Sequence, residues 1–113
     1  MNVSELTPKP KIALLFRLSS FRQVPAIAGC YVLTTSGGLI LYIGLSENLR
    51  VRFQQHLDNP EKTGTTEQGR AFLFHCLDCD NGNLNQLERS WLNQYVVKHG
   101  SRPILNKMDS PVS

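Results

Sequence analysis

Two short apolar runs on either side of a glycine-containing turn constrain the fold of this chain more than any other feature. Residues 29–33 read Gly-Cys-Tyr-Val-Leu and residues 39–44 read Leu-Ile-Leu-Tyr-Ile-Gly, with Thr-Ser-Gly-Gly at 35–38 between them. Runs rich in β-branched and aromatic residues favour strands, and glycine in the turn accepts a positive φ without penalty. The sequence therefore predicts an antiparallel β-hairpin.

The predicted hairpin brings two tyrosines onto one face of the sheet. Tyr31 and Tyr42 are eleven residues apart. A hairpin folded symmetrically about Ser36 and Gly37 makes them direct cross-strand partners. Two phenols side by side on a small sheet are more typical of a functional site than of a hydrophobic core.

The length and charge of the chain are those of one small domain. Its 113 residues suffice for a single core, and 12 Lys+Arg against 9 Asp+Glu give a net charge of +3. This mildly basic balance is compatible with nucleic-acid binding and equally with an ordinary soluble protein. No apolar run approaches the roughly 20 residues of a transmembrane helix, so no membrane partner is expected and a cytoplasmic location is the default.

The cysteines give no sign of a disulfide framework. The chain has an odd number of cysteines, Cys30, Cys76 and Cys79, and its sequence shows no secretion signal. Cys76 and Cys79 beside His75 resemble half of a zinc site, but structural zinc commonly needs two such pairs. Buried or idle thiols are the favoured interpretation.

Proline positions and hydrophobic patterning divide the chain. Residues 1–10, which hold two prolines, are predicted to be a loose leader, 11–108 one domain and 109–113 a frayed tail. Within the domain, periodicity does not distinguish a strand from a short helix at 11–18. The alternation of residues at 71–77 predicts a third strand.

A polar segment at residues 59–69 is predicted to be a mobile loop. It contains one proline and two glycines. Lys62 and the adjacent Arg70 are candidates for contact with a nucleic-acid backbone. The alternative is an ordinary solvated surface loop.

The first of two predicted helices follows the second tyrosine strand. Ser46 is predicted as its N-cap, and the helix is expected to continue to Leu57. At 3.6 residues per turn, its buried positions are Leu49, Phe53 and Leu57. Arg52 and His56 lie along one edge of this stripe, and Arg50 points elsewhere. Because the helix follows the Tyr42 strand directly, its first turns are expected beside the tyrosines. The alternative is that Arg52 and His56 lie on an ordinary solvated flank of the helix.

The second predicted helix, residues 84–99, carries a carboxylate in its apolar face. The apolar positions of that face are Leu84, Leu87, Trp91, Leu92, Tyr95 and Val96. Glu88 falls in their middle, where loss of hydration is costly unless a cation or hydrogen-bond donors meet the carboxylate. A salt bridge or an opening at the helix edge would satisfy it. A metal ligand, or a partner of a site arginine, is the preferred interpretation.

Taken in order, these motifs resemble the signature of the GIY-YIG nuclease superfamily. The motifs are Gly29-Cys30-Tyr31, Tyr42-Ile43-Gly44, residues 48–52 (Asn-Leu-Arg-Val-Arg) with His56, Leu87-Glu88 in a helix, and residues 102–106 (Arg-Pro-Ile-Leu-Asn). Each motif is short, but together they run from residue 29 to residue 106 in the order of the family.

The resemblance implies a fold and a reaction. The fold is an α+β arrangement in which a three-stranded antiparallel sheet is flanked by helices. The reaction is hydrolysis of a DNA phosphodiester bond by an endonuclease that depends on one divalent metal ion, Mg²⁺ or Mn²⁺. Repair, recombination and mobile-element biology are the contexts it suggests. Because the chain has no room for a further DNA-binding domain, specificity is expected to come from the shape of a branched or nicked substrate, from a partner protein or from self-association.

The resemblance also implies roles for individual residues. Glu88 would hold the metal ion, and Arg52 would bind the scissile phosphate. Tyr31 or Tyr42 would act on the attacking water with help from the metal, the arginine or His56, since a phenol ordinarily titrates near pKa 10. Which tyrosine acts as the base stays open.

Further positions carry over with less detail. Asn106 would be a polar orienter of the site. Gly44, Arg50, Lys62 and Arg70 are the candidate substrate-binding residues.

Two positions depart from the family pattern. Cys30 replaces the isoleucine of the first motif, and alternation along the strand predicts that its side chain points away from the tyrosines. Leu45 stands where many members carry a lysine, which removes one cation near the phosphate. A nucleic-acid- or protein-binding module without catalysis, and a purely structural domain, remain as alternatives to the nuclease.

Overall fold

The fold is a four-stranded antiparallel sheet with helices on both faces. The computed structural model describes residues 1–106. Its strands are β1 (Ile12–Leu15), β2 (Gly29–Thr34), β3 (Ile40–Ser46) and β4 (Leu73–Asp78), and its helices are α1 (Leu49–Leu57), α2 (Pro60–Thr63) and α3 (Leu84–His99). The strand order is β1-β4-β2-β3, so β3 is an edge strand. The α+β prediction is confirmed; the sheet gains a fourth strand because β1, within the ambiguous segment, pairs with β4.

The hairpin of β2 and β3 forms, but its register differs from the symmetric prediction. Tyr31 pairs with Gly44, and Leu33 pairs with Tyr42. The predicted direct pairing of the two tyrosines is therefore wrong. The register shifts between Leu33 and Thr34: Leu33 pairs with Tyr42 and Thr34 pairs with Ile40, so Leu41 is an extra residue on β3. The two tyrosines are offset by two residues along the paired strands. Because side chains alternate between faces, this even offset leaves both on one face as diagonal neighbours.

Each face of the sheet carries its own hydrophobic cluster. The cluster under α1 includes Tyr31, Leu33, Tyr42, Leu49, Phe53 and Phe74. The cluster under α3 includes Cys30, Val32, Ile43, Leu84, Trp91 and Tyr95. This division follows the alternation of side chains along a strand. It confirms that Cys30 points away from the tyrosines, and Leu45 likewise packs towards α3.

The two long helices match the predictions except at one start. Helix α3 has the predicted bounds and ends at Gly100, whose φ of 78° is the left-handed conformation that glycine favours at a helix end. Helix α1 begins at Leu49 with Asn48 as its N-cap. The predicted cap, Ser46, is instead the last residue of β3, and its hydroxyl accepts a hydrogen bond from the Asn48 N–H.

The first ten residues are packed against the domain, contrary to the expected loose leader. The Leu6 side chain is buried. The Trp91 indole N–H donates to the Pro8 carbonyl at 2.9 Å, and the Ile40 N–H donates to the Met1 carbonyl at 3.1 Å. Contacts with residues far along the sequence therefore hold this segment. The predicted tail, 109–113, lies outside the described residues.

The segment predicted as a mobile loop contains helix α2 and a buried lysine. Asn59 caps the helix through its side chain, and Pro60 occupies the first helical turn, where proline is tolerated. The Lys62 side chain is only 9% exposed. Helix α2 packs on α1. Among residues 1–106, no helix is both long and apolar enough to cross a membrane.

Candidate active site

A tyrosine–histidine pair lies at the centre of the site, between the sheet and α1. The Tyr31 hydroxyl is 2.5 Å from His56 Nε2. The Tyr42 ring lies 5.8 Å from the Tyr31 ring and 5.3 Å from the His56 ring, measured between centroids. All three side chains are buried. The helix brings His56 back over the hairpin, so this residue lies deeper than the helix edge predicted from the sequence.

Burial keeps the central groups neutral. It raises the pKa of Tyr31 well above its ordinary value, against the opposing charge of Arg52. Burial also raises the pKa of Tyr42, while a hydrogen bond from Tyr31 and the charge of Arg52 oppose the rise. Burial, with the charges of Lys62 and Arg52, lowers the pKa of His56 to about 3. At neutral pH, His56 is therefore an uncharged base beside a protonated phenol.

Two cations approach this cluster from different helices. Arg52, on α1, donates from Nη1 to the Leu45 carbonyl at 3.4 Å, and its charge acts on both tyrosines. Lys62, on α2, places its Nζ 4.6 Å from the centroid of the Tyr42 ring. The site thus combines two phenols, a neutral imidazole and two positive charges.

The other two arginines considered from the sequence lie elsewhere. The Arg50 guanidinium donates to the carbonyls of Val24 at 2.8 Å and Arg22 at 3.1 Å. Arg70 is exposed and lines a separate cleft that includes Asp58. Helical geometry explains why Arg50 points away from the site, since Arg50 and Arg52 are about 200° apart around α1.

Glu88 is a half-buried carboxylate with one unsatisfied oxygen. Its Oε2 is shielded from solvent and has no hydrogen-bond partner among the described residues. Burial raises the pKa of Tyr42, and the charge of Glu88 adds to that rise. Helix α3 packs on the face of the sheet opposite α1, against β2 and the edge strand β3.

The environment of Glu88 fits a single divalent cation. A buried carboxylate oxygen without a partner is costly, and a cation removes that cost. Within residues 1–106, no group of three or more His, Cys, Asp or Glu side chains could hold a metal ion. A lone carboxylate suits Mg²⁺, which is commonly held by one or two carboxylates and keeps several waters.

Asn106 supports the strand that carries Tyr42. Its Oδ1 accepts from the Ile43 N–H at 2.9 Å, and its Nδ2 donates to the Ile43 carbonyl at 2.8 Å. The side-chain amide thereby satisfies both backbone groups of Ile43 on an edge strand. The Asn106 side chain therefore holds the backbone of β3 one residue after Tyr42.

Cys30 contacts the helix turn that carries Glu88, a connection that sequence reasoning did not find. The thiol donates to the Leu84 carbonyl at 3.5 Å. Burial raises the pKa of the thiol to about 12, and the backbone of Glu88 opposes part of this rise. Cys30 therefore ties α3 to β2 one residue before Tyr31.

The depressed pKa of His56 predicts a loss of stability in acid. An unfolded histidine takes up a proton near pH 6.5, whereas the folded site resists protonation down to about pH 3. Between these values the unfolded state binds more protons, so stability falls as pH falls, by up to about 1.4 kcal/mol per pH unit. Urea midpoints of wild type and His56→Gln, measured from pH 7 to pH 4, test this. The variant should show the shallower slope; equal slopes would show that His56 titrates normally.

Comparison with known proteins identifies the class of this domain. The family model described as "GIY-YIG catalytic domain" matches residues 27–99. This match covers more than half of the chain, which therefore belongs to the GIY-YIG family, a family of nuclease domains. The expected family assignment is confirmed. No curated protein matches the chain significantly.

A solved structure supports the fold independently. The chain is similar to the GIY-YIG N-terminal endonuclease domain of UvrC from Thermotoga maritima, a point mutant bound to its catalytic divalent cation. The TM-score is 0.51 with 17% sequence identity, over 80% of this chain and 99% of that one. At this identity the likeness shows the fold.

Proposed function

We propose that this protein is a DNA endonuclease that hydrolyses phosphodiester bonds with one divalent metal ion held by Glu88. The observation that carries the proposal is the buried Glu88 Oε2, which has no hydrogen-bond partner among the described residues and whose charge acts on Tyr42. The family of the domain and the divalent cation of the UvrC structure support it. DNA is accordingly the proposed partner.

The charged residues of the site have separate roles in this proposal. Glu88 would hold Mg²⁺ or Mn²⁺, which supplies an activated water and neutralises charge on the phosphate. Arg52 would bind the scissile phosphate, because a guanidinium offers several donors in a fixed plane that matches phosphate oxygens. Its charge would count most as negative charge accumulates in the transition state.

The tyrosine–histidine pair would manage the proton of the attacking water. A buried Tyr31 phenolate is unfavourable, so Tyr31 would not lose its proton outright. The Tyr31 hydroxyl would pass its proton to His56 while it accepts a proton from the attacking water. Free of substrate, His56 resists this charge because it is buried and because Lys62 and Arg52 carry positive charges. A bound phosphate offsets both cations and so favours the imidazolium. Tyr42, nearer to Glu88, would orient the water.

A cleavage assay with matched tyrosine variants tests the proposed function. Purified protein is incubated with supercoiled plasmid and with branched DNA, in Mg²⁺, Mn²⁺ or excess chelator. We expect cleavage only with metal, and a fall in kcat of about 100-fold or more for Tyr31→Phe, the scale of lost acid–base catalysis. Tyr95→Phe is the control, since Tyr95 lies in the cluster under α3.

One result would overturn the proposed endonuclease, and a second would overturn the role proposed for Tyr31. Tight DNA binding without cleavage under every metal condition would indicate a binding module. Equal kcat for the Tyr31→Phe and Tyr95→Phe variants would remove the proton-transfer role of Tyr31 while leaving metal-dependent cleavage in place.

A further inference from the structure

The guanidinium of Arg52 is held by two acceptors at the edge of the site. Its Nε donates to the Gln55 side-chain oxygen at 3.1 Å, and its Nη1 donates to the Leu45 carbonyl at 3.4 Å. Gln55 lies three positions after Arg52 on α1, a spacing that makes helical side chains neighbours. Leu45 belongs to β3, the strand that carries Tyr42. The two contacts therefore tie the guanidinium to its own helix and to that strand.

Contacts at two nitrogens fix how the guanidinium plane is turned, as well as where it lies. An arginine side chain has several rotatable bonds, but its guanidinium is rigid and planar, and its donors point in fixed directions. Nε and Nη1 belong to the same plane, so two anchors determine its orientation. The Nη1 contact is long for a hydrogen bond, whereas the Nε contact is within the ordinary range. Gln55 is therefore the stronger of these two anchors.

Both of these acceptors are uncharged. An amide oxygen and a backbone carbonyl accept hydrogen bonds without a formal charge. Neither of them cancels the positive charge that Arg52 exerts on Tyr31 and Tyr42. A glutamate at residue 55 would supply a similar acceptor and would add a negative charge. The amide thus orients a cation suited to phosphate without opposing its attraction for an anion.

The fold does not depend on the contact between Gln55 and Arg52. Gln55 is exposed and lines, with Arg52, a cleft at the start of α1. Water can replace an exposed acceptor, and substitutions at such surface positions usually change stability little. An effect of Gln55 on the reaction can therefore be measured without a large effect on folding.

We infer that Gln55 is a positioning residue, which holds the Arg52 guanidinium in the orientation that meets the scissile phosphate. The inference rests on the proposed endonuclease function and on the role of Arg52 in it. A misdirected guanidinium still attracts DNA through its charge, but it loses directed hydrogen bonds as charge accumulates on the phosphate. Gln55 would therefore act on kcat more than on KM.

Kinetics of Gln55 variants test this separation. Gln55→Met keeps the length of the side chain and removes the acceptor, whereas Gln55→Glu keeps an acceptor. Gln54→Met is the matched control, because Gln54 is an exposed glutamine of the same helix that lines a different cleft. For Gln55→Met we expect kcat to fall about 10- to 100-fold, the scale of a misplaced catalytic group, with KM changed less than about threefold. Gln55→Glu should recover kcat at least partly.

A double-mutant cycle shows whether Gln55 acts through Arg52. If it does, Gln55→Met should lower kcat in the wild-type background and have no further effect, within about twofold, in Arg52→Ala. A residue with a separate role in folding or binding would lower kcat in both backgrounds. Thermal midpoints of all four proteins are measured alongside.

Side-chain NMR relaxation reads the contact directly and does not require cleavage. The order parameter of the Arg52 Nε–H should be close to that of rigid backbone, about 0.85, and should fall below about 0.6 in Gln55→Met. Arg50 Nε–H, which donates to the Val24 carbonyl at 2.8 Å, is an internal reference in the same helix. Its order parameter should not change, and Gln54→Met should leave both values unchanged.

The outcomes distinguish failure of the inference from failure of the proposed function. No cleavage by the wild type would overturn the endonuclease, while an Arg52 Nε–H that loosens only in Gln55→Met would still establish the positioning contact. An order parameter that Gln55→Met leaves unchanged, or a kcat within threefold of that of Gln54→Met, would overturn the inference. A loss of kcat that persists in Arg52→Ala, with a lowered thermal midpoint, would assign Gln55 a structural role instead.

Discussion

Replacing Glu88 by glutamine is expected to abolish metal-dependent cleavage while the protein stays folded. The unsatisfied Oε2 becomes part of a neutral amide of nearly the same shape, so the fold loses an unpaired buried charge and no hydrogen bond. The site loses the carboxylate that would hold the cation. We expect kcat to fall by about 1,000-fold or more, which corresponds to roughly 4 kcal/mol of transition-state stabilisation.

A thermal-shift measurement tests the metal ligand separately from catalysis. A cation that binds only the folded state at 100 times its Kd adds about 2.7 kcal/mol of stability. Added Mn²⁺ should raise the Tm of the wild type and of Glu67→Gln, an exposed carboxylate used as the control. The Tm of Glu88→Gln should not respond. Cleavage by this variant within tenfold of wild type would show that the metal is held elsewhere.

Replacing Gly44 by alanine is expected to damage both stability and activity. An added Cβ would lie 2.6 Å from the Tyr31 hydroxyl oxygen and 2.8 Å from Cε1 of Tyr42. Both rings are buried, so neither can move without disturbing its neighbours. Overpacking of this kind typically costs about 1–3 kcal/mol. The same displacement would break the Tyr31–His56 contact, so we expect kcat to fall with stability.

Gly82→Ala provides the control for the glycine substitution. An added Cβ at Gly82 meets no atom within 4 Å, and a surface change of this kind is usually within about 0.5 kcal/mol of neutral. Urea midpoints and cleavage rates of the two variants are compared at one pH. Wild-type values for Gly44→Ala would show that the two rings can shift apart. Gly44 was predicted to bind substrate; its described contacts are with the two tyrosines.

Strong periodicity explains which parts of the fold could be predicted. Helix α3 has sixteen residues with a regular apolar face, and its bounds followed from that pattern. The N-cap of α1 was predicted at Ser46 instead of Asn48, because both are good capping residues. Only the point at which β3 ends distinguishes them. The hairpin register depended on an irregularity between Leu33 and Thr34, which no local pattern indicates.

The candidate site was predictable where motif order carried the information. Motif order identified the tyrosines, Arg52 and His56, and Glu88 also stood out as a carboxylate in an apolar face. Lys62 was proposed only as a contact from a mobile loop, because its burial depends on how α2 packs against α1. The folded leader was missed for the same reason, since its contacts involve residues such as Trp91, far along the chain.

The two ends of the described chain together close the outer edge of β3. An edge strand presents unpaired N–H and C=O groups to which another sheet can add. Here the Met1 carbonyl accepts from Ile40, the Leu105 N–H donates to Leu41, and the Asn106 side chain pairs with Ile43. Edge-to-edge aggregation is thereby blocked along the strand that carries Tyr42. The same closure means that removing residue 1 or residues 105–106 would expose the edge of the strand that carries Tyr42, although these residues are remote from it in sequence.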